Sequence, residues 1–182
     1  MSVDVVLIRG APGAGKSQVA KCLSSYFPRG AKVEVDSLRG MVISVDWTNQ
    51  QEHINLLQVA AGVTRDFLRF GFRPVIVVDT FSGDKINRFV ATLRQLEGSP
   101  SIGIFGLYAS ANVLRARLQK RPPGDFKDFE ISKKLNDDVL RIKNPEEHQI
   151  DTSGLSPMQT AEEVYRCLGR FDVGRITPPG LS

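Results

Sequence analysis

Apolar positions along this chain fall into short unbroken runs that alternate with stretches of helical spacing. Residues 3–8, V-D-V-V-L-I, form the first run. Such a short, mostly β-branched run predicts a strand buried on both faces, as in a parallel sheet. A glycine-rich turn spans residues 10–15, and residues 16–26 then take helical spacing, with Val19, Ala20, Leu23 and Phe27 as the apolar stripe. Residues 31–35 predict a second strand and residues 37–43 a short helix. A long helical pattern over 49–70 places Ile54, Leu57, Ala61, Thr64 and Leu68 on its buried side, and Gly71 ends it.

The alternation continues. Residues 74–78, P-V-I-V-V, read as a buried strand ending on Asp79, and residues 84–96 as a helix. A fourth strand is expected over 102–107 and a helix over 111–120. Residues 121–129 hold Pro122, Pro123 and Gly124, the clearest loop of the chain. A helix over 131–142, a short strand over 148–150 and a last helix over 157–168 complete the pattern, with Pro157 in the final helix's first turn. Strands alternating with helices throughout predict a three-layer α/β fold around a parallel sheet of about five strands. One domain is expected over residues 1–174, with a lid near 121–130 and a loosely ordered tail over 175–182.

Composition narrows the classes. A hydrophobic content of 41% in 182 residues suits one full core. The net charge of +4 fits an anionic substrate, but no Lys/Arg-rich run argues for duplex nucleic acid. Cys22 and Cys167 lie far apart, so no disulfide framework is expected and a reducing cytoplasm fits. His53 and His148, the only histidines, lack metal-pair spacing. His53 is expected at the surface, with contact to substrate as the alternative. No apolar run has membrane-span length and no signal-peptide pattern opens the chain.

The strongest chemistry follows the first strand. Gly10, Ala11, Pro12, Gly13, Ala14, Gly15, Lys16 and Ser17 match G-x-x-x-x-G-K-[ST] in full, in the required strand–turn–helix setting. Gly13 and Gly15 let backbone N–H groups turn inward as an anion nest, and the helix through Gln18 offers its positive N-terminal end to the same phosphates. Lys16 is expected on the β- and γ-phosphates of a nucleoside triphosphate and Ser17 on Mg²⁺. A chance match in a chain this size is expected on the order of 1% of the time or less, given background glycine usage.

The remaining motifs separate P-loop classes. Asp79 ends the third predicted strand, where an acidic residue serves the magnesium's water shell. Thr80 follows it, where P-loop ATPases commonly carry a glutamate; no D-x-x-G or N-K-x-D suits a GTPase. The second strand runs into V-D-S-L-R, placing Asp36 and Arg39 one helical turn apart. Asp36 can orient or deprotonate an acceptor hydroxyl, and Arg39 can clamp an anionic acceptor group. The plainer reading is an N-cap aspartate with a solvated arginine. Arg115, Arg117, Lys120 and Arg121 crowd a helix end before the Pro-Gly loop. They can close over a transferring phosphate, or simply complement the helix dipole. Trp47, the only tryptophan, can stack on an aromatic acceptor or pack.

With these residues, the chain resembles the small P-loop kinases that include chloramphenicol phosphotransferase, the zeta toxins and the kinase domain of bacteriophage polynucleotide kinase. That group is similar in fold to the nucleoside monophosphate kinases. The resemblance covers nearly the whole chain. It implies that Lys16 and Ser17 are the Walker A residues, that Asp36 is the catalytic aspartate, and that Arg39 is the arginine three positions on. It also implies that Arg88 follows the third strand as in many members, that Arg117 and Arg121 close on the triphosphate, and that I-D-T-S-G-L-S lies beside the adenine. Its implied activity is transfer of the γ-phosphoryl group of MgATP to a hydroxyl or phosphate of a small molecule, nucleotide or nucleic-acid end. The alternative is a nucleotide-binding ATPase or regulatory protein without an acceptor. The acceptor region, residues 41–51, matches no one member.

Overall fold

The computed structural model describes residues 3–141 and 144–171. The tail expected over 175–182, with the domain's last few residues before it, lies outside the described residues. Five parallel strands form one sheet in the order β2–β3–β1–β4–β5: β1 Val5–Gly10, β2 Ala31–Glu34, β3 Val75–Asp79, β4 Ile102–Tyr108 and β5 Glu147–Asp151. Among the described residues, seven helices connect and cover them: α1 Lys16–Ser24, α2 Val35–Arg39, α3 Gln50–Arg69, α4 Lys85–Arg94, α5 Ala111–Gln119, α6 Phe129–Arg141 and α7 Pro157–Phe171. The expected α/β class, the strand count and the strand–helix alternation are those observed.

The strands split the core because side chains alternate faces along them. Val5, Leu7, Val75, Val77 and Ile104 point to one face and pack with α3 and α4 residues such as Leu57, Ala61, Phe89 and Leu93. Val6, Ile8, Ile76, Val78 and Phe105 point to the other and pack with Val19, Leu23 and Val164 of α1 and α7. Every residue of β1 and β3 is buried, as expected for central strands covered on both faces.

Register sets the stage for the site. Leu7 of β1 pairs with Val77 of β3 and Ile104 of β4, and Arg9 pairs with Asp79. The carboxyl ends of β1 and β3 therefore finish level, where open parallel sheets bind ligands. Helix α2 begins at Val35, two residues before its predicted start, and ends at Arg39. On α3 the buried stripe includes His53, Leu57, Ala61, Thr64 and Leu68, while Ile54 is only half-buried.

Arg9 fastens several of these elements. Its guanidinium is 1% exposed. It donates to Glu147 Oε1 at 3.0 Å, to the Val139 carbonyl of α6 at 3.0 Å and to the Phe81 carbonyl beyond β3 at 3.3 Å.

Candidate active site

The turn between β1 and α1 is built on two glycines with left-handed backbone, Gly13 at φ 87° and Gly15 at φ 96°. A side chain is strained in that region. A Cβ at Gly15 would meet nothing within 4 Å, so the space before the first turn of α1 is open. Gly15 is the N-cap of α1 and no side chain caps it. The first-turn N–H groups have no intrahelical acceptor, so an open, positively polarised cradle faces that space. Lys16 is half-buried and donates to the Ala11 carbonyl at 3.1 Å. Burial lowers its ammonium below the ordinary lysine value, while Asp79 and Asp36 pull the other way.

The cradle is fixed from behind. Ser132 of α6 donates to the Pro12 carbonyl at 2.6 Å. Arg117 of α5 reaches the Gly13 carbonyl at 3.4 Å and both Thr152 oxygens, Oγ1 at 2.9 Å and the carbonyl at 2.7 Å. Thr152 Oγ1 in turn donates toward the Ala14 carbonyl at 3.2 Å. Arg117 thus lies between the phosphate turn and the loop after β5. Arg121 is engaged elsewhere, with the Phe126 carbonyl at 3.0 Å and Asp125 at 3.5 Å. The expectation that both arginines share one target is not met in this arrangement. Arg121 still bears on Lys16, whose ammonium it helps to lower.

Two carboxylates, Asp79 and Asp36, bear electrostatically on Lys16. Asp79 is buried, and His53 Nε2 lies 3.2 Å from each of its oxygens. The Phe81 N–H adds a bond of 2.8 Å to Oδ2. Burial pushes the Asp79 carboxyl up, but the His53 and Phe81 hydrogen bonds and Lys16 bring it below the usual value. His53 Nδ1 lies 2.9 Å from the Lys85 ammonium. An ammonium only donates, so Nδ1 accepts and Nε2 carries the hydrogen that Asp79 receives. The surface placement expected for His53 is therefore corrected: it is 7% exposed, drawn inward by a buried carboxylate.

Asp36 sits in the first turn of α2 behind Glu34, which occupies the N-cap. The N-cap reading of Asp36 is corrected accordingly. Burial raises its carboxyl above the usual value, and the nearby Asp79 charge raises it further, against Lys16, Arg39 and His53. Arg39 is not solvated either; it is 7% exposed. Its Nη2 donates to the Trp47 and Asp46 carbonyls at 3.1 and 3.4 Å, and the guanidinium lies 4.5 Å from the Trp47 ring centroid. Trp47 remains half exposed.

Ser17 donates to Glu34 Oε2 at 2.9 Å, and Lys32 holds the other Glu34 oxygen at 2.5 Å. These bonds outweigh burial and keep Glu34 below the usual carboxylate value. Glu34, Lys85 and Arg9 were not singled out in the sequence, and His53 was placed at the surface. A charged residue at the end of an apolar strand was the available signal for Arg9 and Glu34. Among the described residues, no three of His, Cys, Asp and Glu gather as a self-sufficient metal site. A hydroxyl already shared with an ionised carboxylate suits Mg²⁺, which needs only one or two protein oxygens when phosphates supply the rest.

No family model matches the chain, and no curated protein matches it in sequence. Solved structures do match in fold. The Deinococcus radiodurans tunicamycin resistance protein has a TM-score of 0.70 at 22% identity, over 92% of this chain and 96% of that one. A sugar kinase from a Janibacter species has 0.65 at 21%, over 94% and 95%. A gluconokinase from Sinorhizobium meliloti has 0.64 at 16%, over 92% of each. Together with the parallel sheet and the glycine-rich turn after its central strand, these matches show that the chain has the fold of the small P-loop kinases.

Proposed function

We propose that the protein is an ATP-dependent phosphotransferase acting on a small hydroxyl- or phosphate-bearing acceptor. The observation that carries this reading is the electrostatic grouping of Lys16 with Asp36 and Asp79 before an open phosphate cradle. Lys16 and the first-turn amides of α1 bind the β- and γ-phosphates. Ser17 and Asp79, with Glu34 beside them, would hold Mg²⁺, which supplies neutralisation of phosphate charge when bound. Asp36 accepts the acceptor proton as the acceptor oxygen bonds to Pγ and the bond from Pγ to the β–γ bridging oxygen breaks. ADP leaves with the electron pair. The raised Asp36 carboxyl is displaced toward the range where a base works best. Arg121 stabilises the migrating charge once the loop carrying it closes, and Arg117 keeps the phosphate turn in place. Arg39 holds the acceptor.

One observation favours a second reading, nucleotide binding without an acceptor: Arg39 is engaged by its own loop. A paired experiment decides. Calorimetry should give saturable MgATP binding to the wild type and none to Lys16→Ala. An ATP-consumption screen over nucleosides, nucleotides, aminoglycosides, amphenicols, sugars and 5′-hydroxyl oligonucleotides should then find an acceptor. Equal ATP affinity in the two proteins would remove the cradle assignment. Binding without any acceptor-dependent turnover would favour the second reading.

A further inference from the structure

The two flanks of β1 bring different cations to the site. Arg117 and Arg121 follow β4. Arg39 and Lys85 follow β2 and β3, on the opposite side of β1. Of the first pair, Arg117 reaches the turn between β1 and α1, while Arg121 is held by its own loop. The second pair lies on the side of Asp36 and Asp79, where the acceptor must approach.

Arg39 and Lys85 share an unusual condition. Arg39 is 7% exposed, yet none of its bonds goes to a carboxylate, and its buried Nε has no hydrogen-bond partner. Lys85 is half-buried at the first position of α4. Its ammonium meets Gln50 Oε1 at 2.7 Å, His53 Nδ1 at 2.9 Å and Ser82 Oγ at 3.4 Å, all neutral groups. Neither cation forms an ion pair with a described residue. Buried cations are ordinarily paired, because an unpaired buried charge is costly. Arg39 holds the Asp46 and Trp47 carbonyls just ahead of α3, and Lys85 holds Gln50 and His53 in its first turns, so both cations lie at the N-terminal end of that helix. Burial lowers the Lys85 ammonium against the pull of Asp79, and the Arg39 charge lowers it further. The ATP phosphates are served by Lys16 and the α1 terminus and do not account for them.

We propose that the acceptor itself carries an anionic group, a carboxylate or a phosphate, and that Lys85 and Arg39 bind it through charge-assisted hydrogen bonds. The N-terminal end of α4 adds to the same field. His53 then has two tasks: its Nε2 fixes Asp79 while its Nδ1 aims Lys85. Hydroxyl acids, sugar phosphates and nucleotides satisfy the requirement; neutral polyols and nucleosides do not. The inference rests on the phosphotransferase reading.

The test uses the full chain saturated with a non-hydrolysable ATP analogue and Mg²⁺, so that the phosphate cradle is filled. Sodium sulfate, inorganic phosphate and sodium propionate are titrated in at constant ionic strength. Binding is followed by calorimetry and by emission of Trp47, the only tryptophan. Saturable anion binding is expected, weakened about tenfold or more in Lys85→Met and in Arg39→Met, with the analogue still bound and far-UV circular dichroism unchanged. A site selective for sulfate and phosphate points to a phosphorylated acceptor, and one selective for propionate to a carboxylate. Absence of saturable binding by both methods, or equal affinity in Lys85→Met, overturns the proposal. Failure of the analogue to bind would instead remove the phosphotransferase reading on which it rests.

Discussion

His53 Nε2 stands 3.2 Å from both oxygens of Asp79, and nothing else among the described side chains hydrogen-bonds that carboxylate. The pair joins α3 to the end of β3 in the interior. Replacing His53 by leucine leaves a buried carboxylate with the Phe81 N–H alone. The cost is expected at about 1–3 kcal/mol, read from the denaturation midpoint. The Asp79 carboxyl should also rise, because the bond that offsets its burial is gone. An unchanged midpoint would show that the pair contributes nothing to the fold.

Asp36 gives a prediction about pH. Its carboxyl is raised above 3.8 by burial and by Asp79. A base must be deprotonated to accept a proton, so activity falls as pH drops through the raised value. The acid limb of kcat/KM with an identified acceptor should therefore lie above the ordinary aspartate range. Asp36→Asn should lower kcat by roughly 10²–10⁴ with little change in ATP affinity. Full turnover in that variant would move the base elsewhere, with Asp79 the first candidate.

The loop between α5 and α6 should close over nucleotide. Residues 122–128 are exposed, and Arg121 and Asp125 are joined by an exposed ion pair of the weak kind. Addition of a non-hydrolysable ATP analogue with Mg²⁺ should slow hydrogen exchange across 121–128. Residue 117 should change little, since Arg117 is already fastened to Gly13 and Thr152. Uniform exchange with and without nucleotide would mean a fixed loop and would remove Arg121 from the chemistry.

Asp4 offers a test of stability. It accepts from Ser101 N and Oγ at 2.9 Å each and from Arg73 Nε at 2.8 Å, tying the starts of β1 and β4 to the segment entering β3. Burial opposes ionisation, but these bonds prevail and hold the carboxyl below 3.8. A depressed folded-state value stabilises above the unfolded value and is lost as pH falls through the folded one. Asp4→Asn should lower Tm near neutral pH, by about 2–4 °C for each kcal/mol lost. The difference from wild type should vanish in strong acid. A constant difference at all pH values would contradict the assignment.

What the sequence disclosed and what it hid follow from the same physics. The turn after β1 was legible because its conformation demands Gly13 and Gly15, and the proposed phosphate chemistry draws on Lys16 and Ser17 directly after them. The strands were legible as unbroken apolar runs. His53 was not, because the apolar period on α3 pointed to Ile54, and only the carboxylate across the interface turns the helix face by one position. Arg39 shows the opposite limit. Its place on α2 was predicted, but its burial depends on the loop carrying Trp47, whose path no periodicity describes.

Arg9 sets a limit on mechanical travel. By gripping the Val139 carbonyl it anchors the far end of α6, and the Ser132 bond to Pro12 anchors the near end. A helix pinned at two points cannot swing as a lever. Any closing stroke must be generated within the residues between Gln119 and Phe129, so the moving part is a flap of about ten residues rather than a hinged subdomain. On the phosphotransferase reading, a flap that short would cover the phosphates without wrapping a bulky acceptor. On that same reading the acceptor would then approach from the β2–β3 side, and a large molecule could present a reactive end there without passing beneath the flap.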